Sequence, residues 1–321
     1  ADRQKMGRHA ENIKNIDALN VLAKGGRSFY WASHFLGRKT AHDAAHLYAF
    51  CRTVDDLADG DLENGAARLA AINDQLNLLA AGQKLENPDT ALQGFLPTLH
   101  ARSVPIRPIQ HLLDGLLFDQ GLVAIKSEDA LIKYAYQVAG TVGLLMCPIL
   151  GCMNRHAFSF AIDMGIAMQL TNIARDVLED AKMGRRYLPA NWVGQLSASD
   201  ILACANTPDS REAIQVKAGI DRLLSLADAY YDSGRKGLVY LPPRAHIAIA
   251  VAANVYREIG QKLRRCRLNW SAGRVVTNKL EKVMASGGAS ASLATRIIGA
   301  KPVYCAGLQT SLKGYLELET L

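Results

Sequence analysis

The sequence lacks the features that mark several large protein classes. Its six cysteines form no CxxC pair, and a chain of 321 residues needs no disulfide staples, which favours a reducing cytosol over secretion. Its eight histidines are dispersed and form no Cys/His cluster, which argues against a zinc site. With 26 glycines and 10 prolines, the chain is too poor in both for a disordered or collagen-like protein.

Several motifs are also missing. There is no GxxxxGK[ST] loop for a nucleotide and no GxGxxG dinucleotide fingerprint. No helix-turn-helix, zinc-finger or RNP signature accompanies the basic residues, so we expect no nucleic-acid partner. The first twelve residues, ADRQKMGRHAEN, are charged where a signal peptide carries an apolar run, and this predicts a cytoplasmic protein.

One long uncharged stretch tests this interpretation. Residues 134–154 carry no charge over a length that could span a bilayer. They include Gln137, Gly140, Gly143 and Pro148, which are more typical of a kinked, buried helix. We therefore expect a core helix rather than a membrane span.

Helical periodicity dominates what is present, and alternating strand patterns are nearly absent. Apolar residues, 49% of the chain, recur at spacings of three and four. The segments concerned are 41–59, 66–80, 109–119, 129–146, 156–180, 212–231, 245–263 and 276–286. This predicts an all-α protein of about eight to ten helices. We expect one domain over 1–321, with 1–20 a partly ordered N-terminal segment.

The first of two carboxylate clusters lies at 55–59, DDLAD. Tyr48, Arg52, Asp55, Asp56 and Asp59 are separated by three or four residues, so a helix places them on one face. Asp55 and Asp59 stand one turn apart, about 6 Å along the axis, and can converge on a hard cation.

The second cluster repeats this arrangement. Gln169, Asn172, Asp176 and Asp180 again share one helical face and offer hard oxygen donors, which magnesium prefers. A single DxxxD is usually a solvated helix face. Two such clusters on strongly apolar helices instead predict paired metal sites, because unpaired buried carboxylates are unfavourable.

Two flanking segments add groups that suit phosphate. GRRYLP at 184–189 places Arg185 and Arg186 just after the second cluster, where they either contact phosphate or neutralise the helix end. GGRSFYWAS at 25–33 offers Arg27 and Ser28 to a diphosphate, while its three aromatic residues favour a core role.

Together these segments resemble the squalene and phytoene synthase family. The likeness rests on RSFYWAS, LYAFCRTVDDLAD, YAYQVAGTVG, QLTNIARDVLED and GRRYLP, which occur in the family's order, and it extends weakly to AANVYREIG at 252–260. Within the family, DVLEDAKMGRRYLPANW at 176–192 is most similar to the bacterial phytoene-forming members.

The resemblance implies a single-domain isoprenoid synthase helical fold with a central apolar cavity. It implies a prenyltransferase that joins two geranylgeranyl diphosphates head to head, through a cyclopropyl diphosphate, to give phytoene for carotenoid biosynthesis. The implied cofactor is Mg²⁺, with Mn²⁺ as an alternative, and no NADPH is expected. In the family, AGTVG lies in a cavity-lining helix where small residues let a prenyl chain pass.

The resemblance also assigns roles to individual residues. Metal binding falls to Asp55, Asp59, Asn172, Asp176 and Asp180. Catalytic roles fall to Asp55, Asp59, Asp176, Asp180, Tyr48, Arg52 and Tyr134, with Tyr136 a rival for the last position. Substrate binding falls to Arg27, Ser28, Arg52, Gln169, Asn172, Arg175, Tyr187, Tyr256 and Arg274. Asp114 and Asp119 receive no metal role.

The positive charge is concentrated in one segment. Residues 257–282 contain eight basic and two acidic residues, against a net charge of +7 for the whole chain. This predicts either peripheral association with an anionic membrane or simply a solvated face.

Three other functions stay open at this point. The nearest is a squalene or dehydrosqualene synthase that uses farnesyl diphosphate, since the depth of the cavity cannot be deduced from one sequence. A non-catalytic assembly or binding protein with the same fold need not keep both carboxylate motifs. A terpene cyclase fits the segments RSFYWAS and GRRYLP less well.

Overall fold

The computed structural model describes residues 18–293 and 301–316, and these ranges are mostly helical. After helical residues 18–25, the α-helices are α1 (Arg27–Ser33), α2 (Arg38–Asp59), α3 (Gly65–Ala80), α4 (Thr90–Ala101), α5 (Ile106–Phe118), α6 (Glu128–Ala135), α7 (Thr141–Ile149), α8 (Phe158–Lys182), α9 (Ala198–Cys204), α10 (Arg211–Lys236), α11 (Pro243–Arg265) and α12 (Lys279–Ala291). Most of the predicted segment 1–20 lies outside the described residues; 18–20 are helical.

The helix ends near both carboxylate clusters follow local sequence signals. Gly60 adopts a left-handed φ of +79° and ends α2 directly after Asp59. Gly184, at φ +75°, follows α8 where the sequence predicts a stop. The four aspartates Asp55, Asp59, Asp176 and Asp180 therefore lie in the last two turns of long helices.

Helix α8 is the centre of the larger hydrophobic core, where it packs against α7, α10 and α11. A second core joins α2, α3, α4 and α5. The carboxylate-bearing helices α2 and α8 thus belong to different packing units. Among the described residues the only β interaction is a single bridge between Ala124 and Arg186.

The uncharged stretch forms a helix with an irregular centre. Residues Tyr136–Gly140 are π-helical and join α6 to α7. By length and composition the run Glu128–Ile149 could cross a membrane, but 56% of its most apolar window is buried inside the protein. It packs against α5 and α8, which agrees with the predicted core helix.

Two glycines set how closely this helix approaches α8. A Cβ on Gly143 would lie 2.2 Å from the carbonyl oxygen of Ala161, and one on Gly165 would lie 2.2 Å from that of Ala139. Both positions line the central cavity. Because glycine has no side chain, the backbones of the two helices can contact each other at both positions. The sequence predicted only that small residues leave open space for a prenyl chain.

Candidate active site

A cavity of about 370 Å³ lies between the two packing units. Its wall is mainly apolar and includes Leu112, Leu116, Val138, Val142, Met146, Leu150, Met164, Met168, Leu238, Leu241 and Ile249. Its polar lining residues are Tyr48, Cys51, Arg52, Asp55, Asp119, Tyr134, Gln169, Asn172 and Tyr256. The cavity therefore combines a long apolar surface with a small group of charged and hydrogen-bonding side chains.

The first carboxylate cluster is held by arginines. Arg52 lies 3.4 Å from Asp55 and 2.6 Å from Asp56, one turn along α2. Asp59 pairs with Arg185 at 2.8 Å, which joins the end of α2 to the loop after α8. Burial, followed by repulsion from Asp59, raises the pKa of Asp55 to about 6. The predicted shared face of α2 is confirmed.

The second cluster contains a break in helix α8. Asp176 has φ −103° and ψ 15°, outside helical values, and its carboxylate accepts hydrogen bonds from Arg175 and Arg274. Asn172 and Gln169 line the cavity wall one and two turns before Asp176. Arg175 and Arg274, which are predicted to bind substrate, both contact Asp176 through their guanidinium groups, and the distance from Arg274 is 3.0 Å.

The oxygens of both clusters suit a divalent cation that shares its ligands with substrate. Across residues 18–293 and 301–316, no three His, Cys, Asp or Glu side chains lie close enough to hold a metal ion by themselves. Asn172 Oδ1, however, is buried and has no hydrogen-bond partner among the described residues. An orphaned carbonyl oxygen beside crowded carboxylates fits magnesium, which completes its octahedron with water and phosphate oxygens. The five metal ligands stay a prediction.

Asp119 is the residue that the sequence did not reveal. It is buried at the end of α5, where it accepts hydrogen bonds from the phenol groups of Tyr134, at 2.7 Å, and Tyr187, at 2.8 Å. The two rings stack with centroids 4.9 Å apart. Asp119 also repels both Asp55 and Asp180, which locates it between the two clusters. Only a helix-ending FDQG segment marks it in the sequence.

Replacing Asp119 with Asn is expected to lower turnover about 10- to 100-fold. An amide can accept a hydrogen bond from one phenol but presents N–H to the other, so Tyr134 and Tyr187 lose their common acceptor. Steady-state kinetics of Asp119→Asn, Tyr187→Phe and the double variant measure this. Because the two residues act as a unit, the losses should be far from additive; simple additivity would contradict the arrangement.

The pKa of Asp180 predicts how stability depends on pH. Burial, followed by repulsion from Asp176, raises this pKa from 3.8 to about 8. The folded protein holds the proton more tightly than the unfolded chain, so ionised Asp180 destabilises the fold, increasingly as pH rises from about 4 to about 8. In EDTA, Asp180→Asn is expected to be more stable than the wild type by over about 1 kcal/mol at high pH.

Urea denaturation across that pH range checks this expectation. The gap between Asp180→Asn and wild type should widen with pH up to the pKa of about 8 and then level off. A gap that is constant across the range, or that favours the wild type, would contradict it.

The structure shows which tyrosine lines the cavity, Tyr134 or Tyr136, and whether Phe29 lies in the core or at the cavity. Tyr134 lines the cavity, whereas the Tyr136 hydroxyl contacts His111 Nδ1 at 3.0 Å, so Tyr134 is the pocket tyrosine. Phe29, for which a core role was favoured, also lines the cavity, with its ring 5.2 Å from that of Tyr256.

The segment before α1 is shaped by Tyr48. A Cβ on Gly25 would lie 2.7 Å from the Tyr48 hydroxyl, and one on Gly26 would lie 2.9 Å from its ring. These two glycines therefore let the chain pass over a cavity residue. The predicted substrate contacts Arg27 and Ser28 follow directly, but neither belongs to the described cavity wall.

The two arginines of GRRYLP have different roles. Arg186 is buried and donates hydrogen bonds to the carbonyl oxygens of Ile125, at 2.7 Å, and Leu188. Its role is structural, so the interpretation as a phosphate ligand is wrong for Arg186. Arg185 lies on Asp59 instead and stays within reach of the carboxylate clusters.

The basic segment 257–282 is mostly neutralised within the protein. Arg257 and Arg264 pair with acidic residues of α10. Lys262, Arg265 and Arg274 pair with Glu281, Glu258 and Asp176. Five of the eight basic residues of the segment are therefore paired with carboxylates among the described residues, which weakens the support that the charge excess gives to the membrane prediction.

Comparisons with known proteins agree with the geometry. A 15-cis-phytoene synthase of Pantoea ananas is 33% identical over 301 residues, covering 89% of this chain and 95% of the relative. One from Paracoccus sp. is 32% identical and covers 84% and 88%. A crystal structure of a dehydrosqualene synthase with ligand superimposes with a TM-score of 0.76 at 26% identity, covering 89% and 99%. The predicted isoprenoid synthase fold is thus confirmed.

A sequence profile of squalene/phytoene synthases matches residues 22–281, most of the chain and both carboxylate clusters. Enzymes of this kind use prenyl diphosphates and generally need a divalent metal. The chain therefore belongs to the squalene/phytoene synthase family.

Proposed function

We propose that this protein condenses two geranylgeranyl diphosphates head to head, through a cyclopropyl diphosphate, to phytoene and two diphosphates. The observation that carries the proposal is the cavity, in which an apolar wall meets Arg52, Asp55 and Asn172. It is supported by the similarity to two 15-cis-phytoene synthases over 84% and 89% of this chain.

Asp55, Asp59, Asn172, Asp176 and Asp180 would hold the metal ions. Bound Mg²⁺ supplies Lewis acidity that makes diphosphate a better leaving group. Arginines that now neutralise carboxylates, namely Arg52, Arg175, Arg185 and Arg274, would then be free to bind diphosphate oxygens.

In this proposal, the apolar wall of the cavity keeps water away from the reacting carbon atoms. Loss of diphosphate leaves an allylic cation, which must meet the second prenyl chain before it meets water. Residues such as Met146, Met164 and Leu241 line the space and exclude water. Asp119 fixes the phenol groups of Tyr134 and Tyr187 beside the carboxylates, so these rings take a constant position around the reacting centre.

A product assay tests this proposal. Purified protein with Mg²⁺ and either geranylgeranyl or farnesyl diphosphate, without NADPH, should release phytoene from the longer substrate. Extraction and mass analysis of the hydrocarbon measure it. Turnover of the shorter substrate alone would overturn the proposal and favour a dehydrosqualene synthase, like the solved relative with TM-score 0.76. Absence of turnover with both substrates would favour the non-catalytic alternative.

A cytoplasmic location with peripheral attachment to a membrane forms the last part of the proposal. It is supported by the chemistry of the substrates and product, which are long isoprenoids, and not by the neutralised segment 257–282. The attachment surface must therefore be sought elsewhere on the molecule.

A further inference from the structure

The cavity follows helix α8 for much of its length. Asn172, beside the carboxylates, lines it, and so do Met168, Gly165, Ala161 and finally Phe160. The helix is regular over this stretch, and Phe160 therefore lies about 18 Å from Asn172 along its axis. At ordinary C–C bond lengths an extended prenyl chain grows by about 5 Å per isoprene unit, so this depth suits a chain of about four units.

The cavity is open at the carboxylate end and closed at the end that Phe160 occupies. At the open end, the side chains of Arg52 and Asp55 are 46% and 44% exposed. At the closed end, Phe160 is 2% exposed. The other lining residues near Phe160 are also buried, namely Ala157, Leu238 and Leu241. A prenyl chain that enters beside the carboxylates thus ends against Phe160.

The Phe160 ring is held in place from several sides. A Cβ on Gly237 would lie 2.3 Å from Phe160 Cβ, so the backbone that follows α10 lies directly against this side chain. The Tyr304 ring packs edge-on against the Phe160 ring with centroids 5.1 Å apart, and the Tyr240 ring stacks on it at 6.2 Å. These contacts leave the ring little room to move away from the cavity.

Tyr304 belongs to the C-terminal segment 301–316, which is anchored on a carboxylate of α8. Asp163 is fully buried, and its Oδ1 accepts hydrogen bonds from the Tyr304 phenol at 3.2 Å and the Gln309 amide at 2.8 Å. Its Oδ2 accepts one from Ser233 on α10. Burial of a carboxylate is unfavourable without such donors, so this anchor defines where the segment lies. Tyr304 and Gln309 lie beyond the part of the chain that the family profile matches.

We propose that Phe160 is the specificity residue that limits the length of the prenyl chain, and that Tyr304 is the positioning residue that keeps the Phe160 ring in place. The inference rests on the proposed function for its substrate class and extends it to the residues that select chain length. A geranylgeranyl chain reaches the Phe160 ring, a farnesyl chain leaves the closed end empty, and a geranylfarnesyl chain collides with the ring.

Binding of unreactive analogues tests the role of Phe160. The thiolodiphosphates of farnesol, geranylgeraniol and geranylfarnesol are added with Mg²⁺, and their dissociation constants are obtained from the rise in melting temperature. The wild type should bind the geranylgeranyl analogue most tightly. Phe160→Ala should bind the geranylfarnesyl analogue about tenfold more tightly than the wild type does, because the added isoprene unit gains an apolar contact.

Phe160→Leu keeps this test readable if the alanine variant does not fold, and it should show the same change at smaller size. An unchanged order of the three affinities in a folded Phe160 variant would overturn the proposal, as would a wild type that binds the farnesyl analogue most tightly. Because binding needs no turnover, a wild type that prefers the geranylgeranyl analogue but makes no phytoene would refute the proposed function and leave the role of Phe160 intact.

Variants of the C-terminal segment test the role of Tyr304. Tyr304→Ala should shift affinity toward the geranylfarnesyl analogue, whereas Tyr304→Phe, which keeps the ring, should retain the wild-type order. The matched control is Tyr315→Ala, because Tyr315 lies on the same segment but packs against His111 and Tyr136, with centroids 5.5 and 5.6 Å away. Equal shifts in Tyr304→Ala and Tyr315→Ala, or no shift in Tyr304→Ala, would overturn the positioning role.

Discussion

Asp55→Asn is expected to lower the turnover of geranylgeranyl diphosphate by about 10³-fold or more, equivalent to about 4 kcal/mol of transition-state stabilisation. The amide keeps the size of the carboxylate but removes the charge that would hold a metal ion against diphosphate. Asp180→Asn should have an effect of the same order, because Asp180 provides the corresponding charge on α8. Product formation under saturating Mg²⁺ measures both losses.

The matched control is Asp61→Asn, an exposed carboxylate just beyond the end of α2, which should leave turnover unchanged. A readout other than activity separates loss of metal from loss of fold. Thermal melting of the wild type should rise with Mg²⁺ and inorganic diphosphate added together, and this rise should disappear in Asp55→Asn. Near-normal turnover with an unchanged rise in melting temperature would overturn the metal assignment.

Gly165→Ala is expected to destabilise the protein by about 3 kcal/mol or to prevent folding. Its new methyl group would lie 2.2 Å from the carbonyl oxygen of Ala139 and 2.7 Å from the carbonyl carbon. Both atoms belong to the backbone of the neighbouring helical run, so no side-chain rotation relieves the clash. Separation of α8 from that run would also deform the cavity.

Gly94→Ala provides the control, because a Cβ on Gly94 meets nothing within 4 Å. It lies inside α4, where alanine should stabilise the helix by about 0.5–1 kcal/mol. Urea denaturation of both variants measures the difference in free energy of unfolding. Equal effects at the two positions would contradict the close approach of the helices.

The sequence was sufficient for the helices and for the shared face of the first carboxylate cluster, because both depend on spacings of three and four residues within one segment; the break of α8 at Asp176 was not predicted. Tyr48, Arg52, Asp55, Gln169 and Asn172 all line the cavity as the pattern predicts. The periodicity of apolar residues likewise located the long helices α2, α8, α10 and α11.

Contacts between distant segments could not be predicted from the sequence. Asp119 has no motif, and its role depends on Tyr134 and Tyr187, which lie 15 and 68 residues away. Arg185 and Arg186 are adjacent in an identical local context, yet one lies on Asp59 and the other is buried on carbonyl oxygens. Counting the charges of segment 257–282 alone overestimated its basic character, because Arg257 and Arg264 pair with carboxylates of α10 that lie outside the segment.

The π-helical turn Tyr136–Gly140 limits how this protein could be simplified. A π turn holds one residue more than an α turn, so deleting a residue there would restore a regular helix. Forcing the same five residues into α-helical geometry without a deletion would instead rotate one flank relative to the other by about 100°. Tyr134 and Gly143 could then no longer both face the cavity. Either the Tyr134 phenol would leave the cavity or Gly143 would lose its close contact with the backbone of α8.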